Sequence, residues 1–419
     1  MLKGNCIVAQ SGGPTSVINS SAYGVISEAL SNKNIENIYG AKHGILGVIR
    51  EELFDLRKED KKELEYLKTT PSSGLGSCRY KLPNLDEDNS DYIRIFEVFK
   101  AHNIRYFFYI GGNDSMDTVA KLNNYAKKIN YDIKILGIPK TIDNDLEGTD
   151  HCPGFGSAAK YIITSTLECT LDSLVYDANT ITIIEVMGRN AGWLAAASAL
   201  ANNTKFDTPD LIYLPEVPFS FEKFKKDVLN VYHKKGKVMI VVSEGIKDEN
   251  GNYIEHMDSP EYDSFGHSQL GGVGHILGDF LKNNISTKRV KVVQLNILQR
   301  SAMHFASKTD IEEAYYVGKK AVQYALEGNS GFLVGIKRIS NNPYKYDTKL
   351  VEIKKVANLE KKVPLSWINK EGNYVTQECI DYIYPLIQGE VALPIEHGLP
   401  RYANLKKELI PKKCIKNNG

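Results

Sequence analysis

The chain has 419 residues, which is long for a single hydrophobic core and indicates two domains. A formal net charge of +1 provides no field to recruit nucleic acid or an anionic membrane. No apolar stretch approaches the roughly 20 residues of a membrane-spanning helix, and the apolar run at the N-terminus is too short for a signal peptide. We therefore expect a cytoplasmic protein whose partners include neither nucleic acid nor a membrane.

Short, nearly continuous apolar runs recur along the chain, and each is followed by a turn. They occupy residues 6–9, 106–110, 133–138, 181–187, 238–242 and 290–295. Strands buried on both faces of a parallel sheet have this pattern. Stretches with apolar residues at helical spacing alternate with them, at residues 16–31, 90–101, 115–129, 155–176, 191–202, 269–281 and 311–326. The alternation predicts an α/β fold of doubly wound, mostly parallel sheets that bind ligands at the carboxyl ends of their strands.

Two glycine-rich turns follow predicted strands. Gly12 and Gly13 allow the backbone to approach an anion, although a tight strand-to-helix turn explains the pair equally well. In the second turn, Gly112 precedes Asn113 and Asp114. These two polar side chains have the chemistry to bind a metal or to exclude an anion, but capping of the next helix is the simplest explanation of them.

A lysine and two aspartates follow the apolar run at residues 133–138. Lys140 supplies a positive charge that suits a phosphate group, and Asp143 and Asp145 lie two residues apart in the same turn. Carboxylates at this spacing can divide the work, because one removes a proton while the other orients it or holds a metal. The turn therefore indicates phosphoryl transfer, while a solvated acidic loop remains the alternative.

Isolated charged residues stand near other strand ends. Arg189 and Glu244 each follow an apolar run, and Arg79 and Arg300 follow glycine- or glutamine-containing turns. Taken alone, a surface position or an ordinary ion pair explains each of them at least as well as contact with a phosphate does.

Seven motifs together resemble the phosphofructokinase family in order and spacing, with the diphosphate-dependent branch as the nearest likeness. They read SGGPTSVIN, LGSCRY, GGNDS, PKTIDNDL, MGRNAG, SEGI and LNILQR, and the resemblance spans roughly residues 4–330. It implies two similar α/β domains with the active site in the cleft between them, assembled as homodimers or homotetramers.

The resemblance also implies how the chain is divided. Residues 1–153 plus about 299–345 would form the domain that binds the phosphoryl donor. Residues from about 154–298 plus 346–419 would form the domain that binds the sugar phosphate, with a C-terminal extension.

Roles follow from the positions that match the family's motifs. Asp143 matches the general base that deprotonates the C1 hydroxyl of fructose 6-phosphate, and Lys140, Asp114 and Arg79 match other catalytic positions, Arg79 as the bridge between donor and acceptor phosphates. The matched sugar-phosphate positions are Thr141, Ile142, Asp145, Met187, Gly188, Arg189, Glu244, Lys291 and Arg300. The matched donor positions are Gly12, Gly13, Gly112 and Ser115. A Mg²⁺ cofactor is implied at Asn113 and Asp114.

Two positions decide the phosphoryl donor. Asp114 and Lys140 stand where ATP-using members of the family have glycine. A carboxylate at position 114 would meet the α-phosphate of ATP, and two unit charges about 4 Å apart repel by roughly 4 kcal/mol at an effective dielectric constant near 20. Lys140 would neutralise a small donor that has no nucleoside. The predicted reaction is the reversible, diphosphate-dependent phosphorylation of fructose 6-phosphate to the 1,6-bisphosphate plus orthophosphate, in glycolysis and gluconeogenesis.

Departures from the family pattern keep three alternatives open. Asn113 replaces the usual magnesium aspartate, Lys291 replaces a sugar-phosphate arginine, and Ile297 replaces a histidine. Thr180 stands where ATP-using members bring an arginine across a subunit interface. The alternatives are an ATP-dependent enzyme, sedoheptulose 7-phosphate as the acceptor, and a non-catalytic regulatory subunit that binds sugar phosphate.

Overall fold

The computed structural model describes residues 2–203, 205–255, 270–287 and 289–414. The strands are β1 Gly4–Gln10, β2 Ile35–Ala41, β3 Leu53–Asp55, β4 Ile104–Gly111, β5 Lys134–Pro139, β6 Thr180–Val186, β7 Leu211–Tyr213, β8 Lys237–Ser243, β9 Val290–Gln294, β10 Phe332–Asn341, β11 Tyr344–Glu352, β12 Ile395–Glu396 and β13 Leu399–Pro400. The α-helices are α1 Ile18–Ser31, α2 Ile45–Ile49, α3 Lys61–Tyr66, α4 Ser90–Ala101, α5 Asn113–Lys128, α6 Phe155–Leu174, α7 Trp193–Ala197, α8 Phe221–Lys235, α9 Val273–Asn284, α10 Leu298–Ser301, α11 Lys308–Leu326 and α12 Gln377–Ile383.

The first sheet contains the strands that precede the glycine-rich turns and the acidic turn. Its order within the described chain is β11-β10-β5-β4-β1-β2-β3, with the central strands parallel and an antiparallel strand at each edge. In β1, Ile7 packs against the core formed with α4 and α5, while Val8 packs against the core formed with α1 and α11. Both faces are therefore covered, which explains why these strands read as continuous apolar runs.

The second sheet is parallel throughout and has the order β7-β8-β6-β9 in the described residues. One face packs against α6, α7 and α12, and the other against α8 and α9. The predicted α/β class with mostly parallel sheets is confirmed. Of the helix predicted at 269–281, residue 269 lies outside the described residues, and α9 begins at Val273.

The C-terminal part of the chain packs against both sheets. Residues 344–352 form β11, which pairs with β10 along its length. Residues 346–352, which we assigned to the domain that binds the sugar phosphate, therefore lie in the first sheet. The chain then passes along the cleft, and α12 joins the core of the second sheet. The end of the described chain returns to the first sheet, where the Ile410 amide donates to the Leu53 carbonyl. The remaining domain boundaries stay a prediction.

None of the helices in the described ranges combines the length and the apolar character needed to cross a bilayer.

Candidate active site

Lys140 joins two strand ends of the first sheet. It follows β5, only 3% of it is exposed, and its Nζ donates to the Gly13 carbonyl at 2.6 Å. Gly12 adopts a φ of 74°, and a Cβ added there would lie 3.3 Å from the same Nζ. Because β1 and β5 run in the same direction, their carboxyl ends lie at one edge of the sheet and bring this lysine and the glycine turn together.

Positive charges converge on the glycine turn. A Cβ added to Gly13 would lie 3.2 Å from Nη1 of Arg300, so this guanidinium stands beside Lys140. Burial lowers the pKa of Lys140 to about 8; Asp143 opposes the shift, and Arg300 adds to it. Burial also lowers the pKa of Arg300, and the charge of Arg79 adds to that effect. Cations held this close together are the chemistry expected of a site for a multiply charged anion.

The turn after Lys140 is built by short hydrogen bonds. The Asp143 amide donates to Thr141 Oγ1 at 3.1 Å. Asn144 is fully buried with a φ of 54°; its Oδ1 accepts from the Cys152 amide at 2.9 Å, and its Nδ2 donates to the Tyr382 hydroxyl at 3.0 Å. A left-handed asparagine therefore fixes the positions of the acids on either side of it.

Burial and neighbouring charges shift the pKa values of the two acids in this turn. Burial raises the pKa of Asp143 above its usual range, although Arg189 and Lys140 both oppose the shift. Burial, followed by the charge of Asp143, raises the pKa of Asp145 to about 7. Oδ1 of Asp145 is buried without a hydrogen-bond partner in the described residues, so it is available to a ligand hydroxyl.

The second sheet presents an arginine and a glutamate to the same cleft. Gly188 has a φ of 137°, and its amide donates to Glu244 Oε1 at 3.4 Å. Burial, followed by the charge of Asp143, raises the pKa of Glu244 to about 8. Nε of Arg189 is buried and makes no hydrogen bond to the described residues. Arg189 lowers the pKa of Asp143 across the gap, so the carboxyl ends of the two sheets face each other.

Asn113 and Asp114 begin α5, immediately after Gly112. Oδ1 of Asn113 is buried without a hydrogen-bond partner in the described part of the chain, and a hard cation is one group that would satisfy it. In the same part of the chain, no group of three or more His, Cys, Asp or Glu residues is placed to hold a metal ion. These residues fit Mg²⁺ held mainly by phosphate and water, since that ion keeps few protein ligands. Asp114 also suits the positive end of the helix dipole.

Three residues predicted to contact substrates also make contacts within the chain. Ile142 is 7% exposed, and its side chain packs into the core of the second sheet. The Met187 amide donates to Gln299 Oε1 at 3.1 Å, which anchors the turn that carries Arg300. Ser115 packs under the strand end, because a Cβ on Gly111 would lie 1.9 Å from its Oγ.

Two predicted site residues lie at the surface of the chain. Arg79 is exposed, although its charge acts on Lys140 and Arg300. Lys291 lies near the amino end of β9, opposite the edge that carries the other site residues. Its side chain is 49% exposed and pairs with Asp172 at 3.1 Å. Within this chain, Lys291 is therefore separated from the cleft.

A segment near the C-terminus closes the cleft beside the second sheet, and the sequence reasoning missed it. We define the strap as residues 359–363. Glu360 forms a β-bridge with Leu146, and the Lys361 amide donates to the Asp145 carbonyl at 2.8 Å. Glu360 Oε1 accepts from Asn190 Nδ2 at 2.7 Å, which ties the strap to the loop of Arg189.

The carboxylate of Glu360 is itself part of the cleft. Its charge raises the pKa of both Asp143 and Asp145. Asn190, which binds it, accepts from the Tyr253 hydroxyl at 2.8 Å and from Lys247 Nζ at 3.2 Å. No motif in the sequence predicts this arrangement, because the strap is irregular and combines backbone contacts with one side-chain hydrogen bond.

Comparisons with known proteins agree with this geometry. The family described as Phosphofructokinase matches residues 5–325. A pyrophosphate–fructose 6-phosphate 1-phosphotransferase from Xanthomonas campestris is 46% identical over 416 residues, which are 99% of each chain. The protein of the same name from Halomonas elongata is 44% identical, again over 99% of each chain. The crystal structure of a pyrophosphate-dependent phosphofructokinase from Marinobacter aquaeolei has 42% identity and a TM-score of 0.89, covering 98% of each chain.

Proposed function

Because the chain belongs to the phosphofructokinase family, we propose that it is the enzyme predicted from its motifs. It transfers a phosphoryl group from diphosphate to the C1 hydroxyl of fructose 6-phosphate and releases orthophosphate. We expect the reaction to run in both directions.

One observation carries the choice of donor. Buried Lys140 donates to the Gly13 carbonyl, so its ammonium lies at the glycine turn. A lysine head group at this position fills space beside the glycine turn and supplies a full charge to a compact anion. Asp114, in the first turn of α5, adds a negative charge that disfavours a longer polyphosphate chain.

Asp143 is the proposed general base. Its carboxylate lies between the cations of the first sheet and Arg189 of the second, where the C1 hydroxyl and the phosphoryl group have to meet. Asp143 takes the hydroxyl proton as the phosphoryl group passes in line from the diphosphate to the sugar oxygen. Lys140 and Arg79 stabilise the charge on the transferred group, and the rigid turn around Asn144 holds the base in place.

The sugar phosphate is held from the second sheet and the strap. We assign Arg189, Glu244 and Asp145 to the sugar and Arg300 to its distal phosphate. A Glu244 whose pKa is near 8 is protonated at neutral pH and can donate to a sugar hydroxyl.

Asn113 and Asp114 would hold Mg²⁺ together with the diphosphate. When bound, this ion supplies neutralisation of the phosphate oxygens during transfer.

A donor-by-acceptor activity matrix tests the proposal. Purified protein is assayed with diphosphate, polyphosphate and ATP against fructose 6-phosphate and sedoheptulose 7-phosphate. We expect turnover with diphosphate and fructose 6-phosphate and at least hundredfold less with ATP. Turnover with ATP alone would identify an ATP-dependent enzyme, preference for the 7-phosphate would reassign the acceptor, and no turnover in any pair would indicate a regulatory subunit.

We also propose that the chain forms a homodimer or a homotetramer. The end of α6 and the residues after it expose an apolar patch, formed by Leu171, Leu174, Val175 and Tyr176 with exposed fractions of 45% to 75%. Lys291 lies at this patch, with its Nζ 5.2 Å from the centre of the Tyr176 ring. A second copy packed here would cover the patch and could receive Lys291 in its own cleft. A cytoplasmic location stays a prediction.

A further inference from the structure

A cavity separate from the cleft lies behind the turn that carries Asp143 and Asp145. Its volume is about 360 Å³, and it opens between the end of that turn, the β10–β11 hairpin and the strap. The lining residues are Glu147, Gly148, Thr149, Asp150, Ile336, Lys337, Arg338, Lys349 and Lys361.

Backbone contacts hold the walls of this cavity in place. The Asp150 amide donates to the Ile336 carbonyl at 3.0 Å, and the Ile336 amide donates to Thr149 Oγ1 at 2.9 Å. Gly335 of β10 and Gly148 face each other, since a Cβ on Gly335 would lie 3.3 Å from the Gly148 carbonyl oxygen. The cavity is therefore a fixed concavity in which the loop and the hairpin are already joined.

The cavity is lined by more positive than negative side chains. Lys337 and Lys349 make no ion pair with any carboxylate of the described residues, and both are exposed at the mouth of the cavity. Arg338 is already paired with Asp150 at 2.8 Å. The ammonium of Lys361 donates to the Tyr382 hydroxyl at 3.1 Å and to the carbonyls of Thr149 and Asp150.

The acids do not cancel these cations. Asp150 is also bound to the buried His151, which leaves Glu147 as the lining carboxylate without an ion pair in the described chain. Three lysines against one carboxylate leave a net positive charge that suits a dianion.

We propose that this cavity is a second anion site, which binds a phosphate dianion either free or as a small phosphomonoester. Lys337 and Lys349 bind the anion from the hairpin, and Lys361 binds it from the strap. The site is separate from the catalytic cleft, which lies on the other side of the acidic turn.

Lys361 connects the two sites. Its amide holds the Asp145 carbonyl at 2.8 Å, while its side chain lines the cavity. An anion that draws the ammonium away from the carbonyls of Thr149 and Asp150 weakens the attachment of the strap to the acidic turn. Occupancy of the cavity should therefore raise KM for the sugar phosphate while leaving kcat nearly unchanged.

Equilibrium dialysis with radiolabelled orthophosphate tests the site without substrates. The variant Lys337→Ala/Lys349→Ala removes the hairpin cations and leaves the strap intact. The matched control is Lys354→Ala/Lys355→Ala, which removes two exposed lysines of the following turn that do not line the cavity. Lys140→Met serves as the cleft variant.

We expect the hairpin variant to bind one orthophosphate fewer per chain, or to bind it about tenfold more weakly, than the wild type. The control should match the wild type, and Lys140→Met should retain the phosphate that the hairpin variant loses. Identical binding curves for the wild type and the hairpin variant would overturn the proposal. Competition by glycerol 3-phosphate against labelled orthophosphate identifies a phosphomonoester site, and its absence identifies a site for free phosphate.

Steady-state kinetics test the connection between the sites. At saturating diphosphate, added orthophosphate should raise KM for fructose 6-phosphate at least twofold in the wild type and the control, but not in the hairpin variant. An equal rise in all three proteins would show that the effect arises in the catalytic cleft and would overturn the coupling through Lys361.

Discussion

The two sides of the cleft are built in different ways. On the side that we assign to the phosphoryl donor, called the donor side, the glycine turn, the start of α5 and Lys140 all follow central strands of one sheet, and each is a short local motif. The opposite side, which we assign to the sugar phosphate, is called the sugar side. On the sugar side, Arg189 and Glu244 follow strands of the second sheet, but their loop is held by Glu360, which is 170 residues further along the chain than Asn190. Local sequence thus defines the donor side, whereas a distant strap completes the sugar side.

The difference extends to the kind of contact. Lys140 is buried and bonds to the Gly13 carbonyl of the glycine turn, so in the proposed mechanism a change there acts directly on the diphosphate. The strap acts through other residues, since Glu360 positions Asn190 and Lys361 positions Asp145. We therefore expect donor-side changes to reduce turnover strongly and strap changes to affect mainly the sugar phosphate.

The largest effect is expected where the two sides meet. Replacing Asp143 by Asn removes the proposed base while preserving size, and general-base catalysis contributes roughly 10²–10⁴-fold. We expect kcat to fall by about a thousandfold, with KM for both substrates within about threefold of the wild type. Steady-state assays at several pH values measure both constants.

Asp132→Asn is the matched control, because this aspartate precedes β5 at its opposite end. Its kcat should equal that of the wild type. Turnover by Asp143→Asn within tenfold of the wild type would remove Asp143 from the role of base.

Lys140→Met tests the donor side alone. Loss of one buried cation aimed at the transferred group should reduce kcat/KM for diphosphate by about a hundredfold or more. Lys134→Met, at the start of the strand that Lys140 follows, is the control and should retain full activity, since Lys134 is paired with the exposed Asp132. A larger effect on KM for the sugar phosphate than on the constants for diphosphate would contradict the assignment.

The pH dependence sharpens the test of Lys140. Its pKa of about 8 means that the ammonium is charged below this pH and neutral above it. In the free enzyme, kcat/KM for diphosphate should therefore decline as the pH rises through about 8. Because Glu244 titrates in the same range, the comparison with Lys140→Met separates the two groups: the decline due to Lys140 is absent from the variant.

The donor side could be predicted because its physics is local. Apolar runs that are buried on both faces indicate parallel strands, and parallel strands place their carboxyl ends at one edge. That reasoning brings Lys140 to the glycine turn, and the contact of its Nζ with the Gly13 carbonyl is found in the structure.

The strap could not be predicted in the same way. Glu360 lies in a segment without periodicity, it is exposed, and its contacts form through one β-bridge and one amide side chain. The structural role of the fully buried Asn144 could not be predicted either, since its left-handed φ of 54° and its bonds to Tyr382 and Cys152 depend on tertiary structure. For Lys291, the match of a single position does not establish whether the side chain faces the cleft of its own chain or that of a second copy.

Changes in the strap should have intermediate effects. Glu360→Ala removes the acceptor of Asn190 Nδ2, and loss of a hydrogen bond to a charged group corresponds to about 1.5 kcal/mol. We expect KM for fructose 6-phosphate to rise roughly tenfold, with kcat and KM for diphosphate within about twofold of the wild type.

Glu360→Gln distinguishes positioning from general destabilisation. Glutamine retains an acceptor for Asn190 and should restore most of the affinity for the sugar phosphate. Removal of the charge also lowers the pKa of Asp143 and Asp145, so the acidic limb of the kcat/KM profile should move to lower pH. Glu352→Ala, a surface glutamate paired with Lys355, is the control. Equal losses in the Ala and Gln variants, with an unmoved pH profile, would contradict this positioning role.

The smallest effect is expected for Lys291, and whether it occurs depends on assembly. Within one chain this side chain is half-exposed and pairs with Asp172 at the surface, where an ion pair contributes little to stability. If a second copy covers the apolar patch next to it, Lys291 can contact the sugar phosphate bound by that copy. Lys291→Ala should then raise KM for fructose 6-phosphate about fivefold, leave KM for diphosphate unchanged, and leave the dimer intact in analytical ultracentrifugation. Leu174→Asp, in the patch itself, should dissociate the dimer and reproduce the same rise in KM. If the assembled Lys291→Ala enzyme has wild-type constants, this lysine makes only its surface ion pair. The sugar side of the cleft is then complete within one chain.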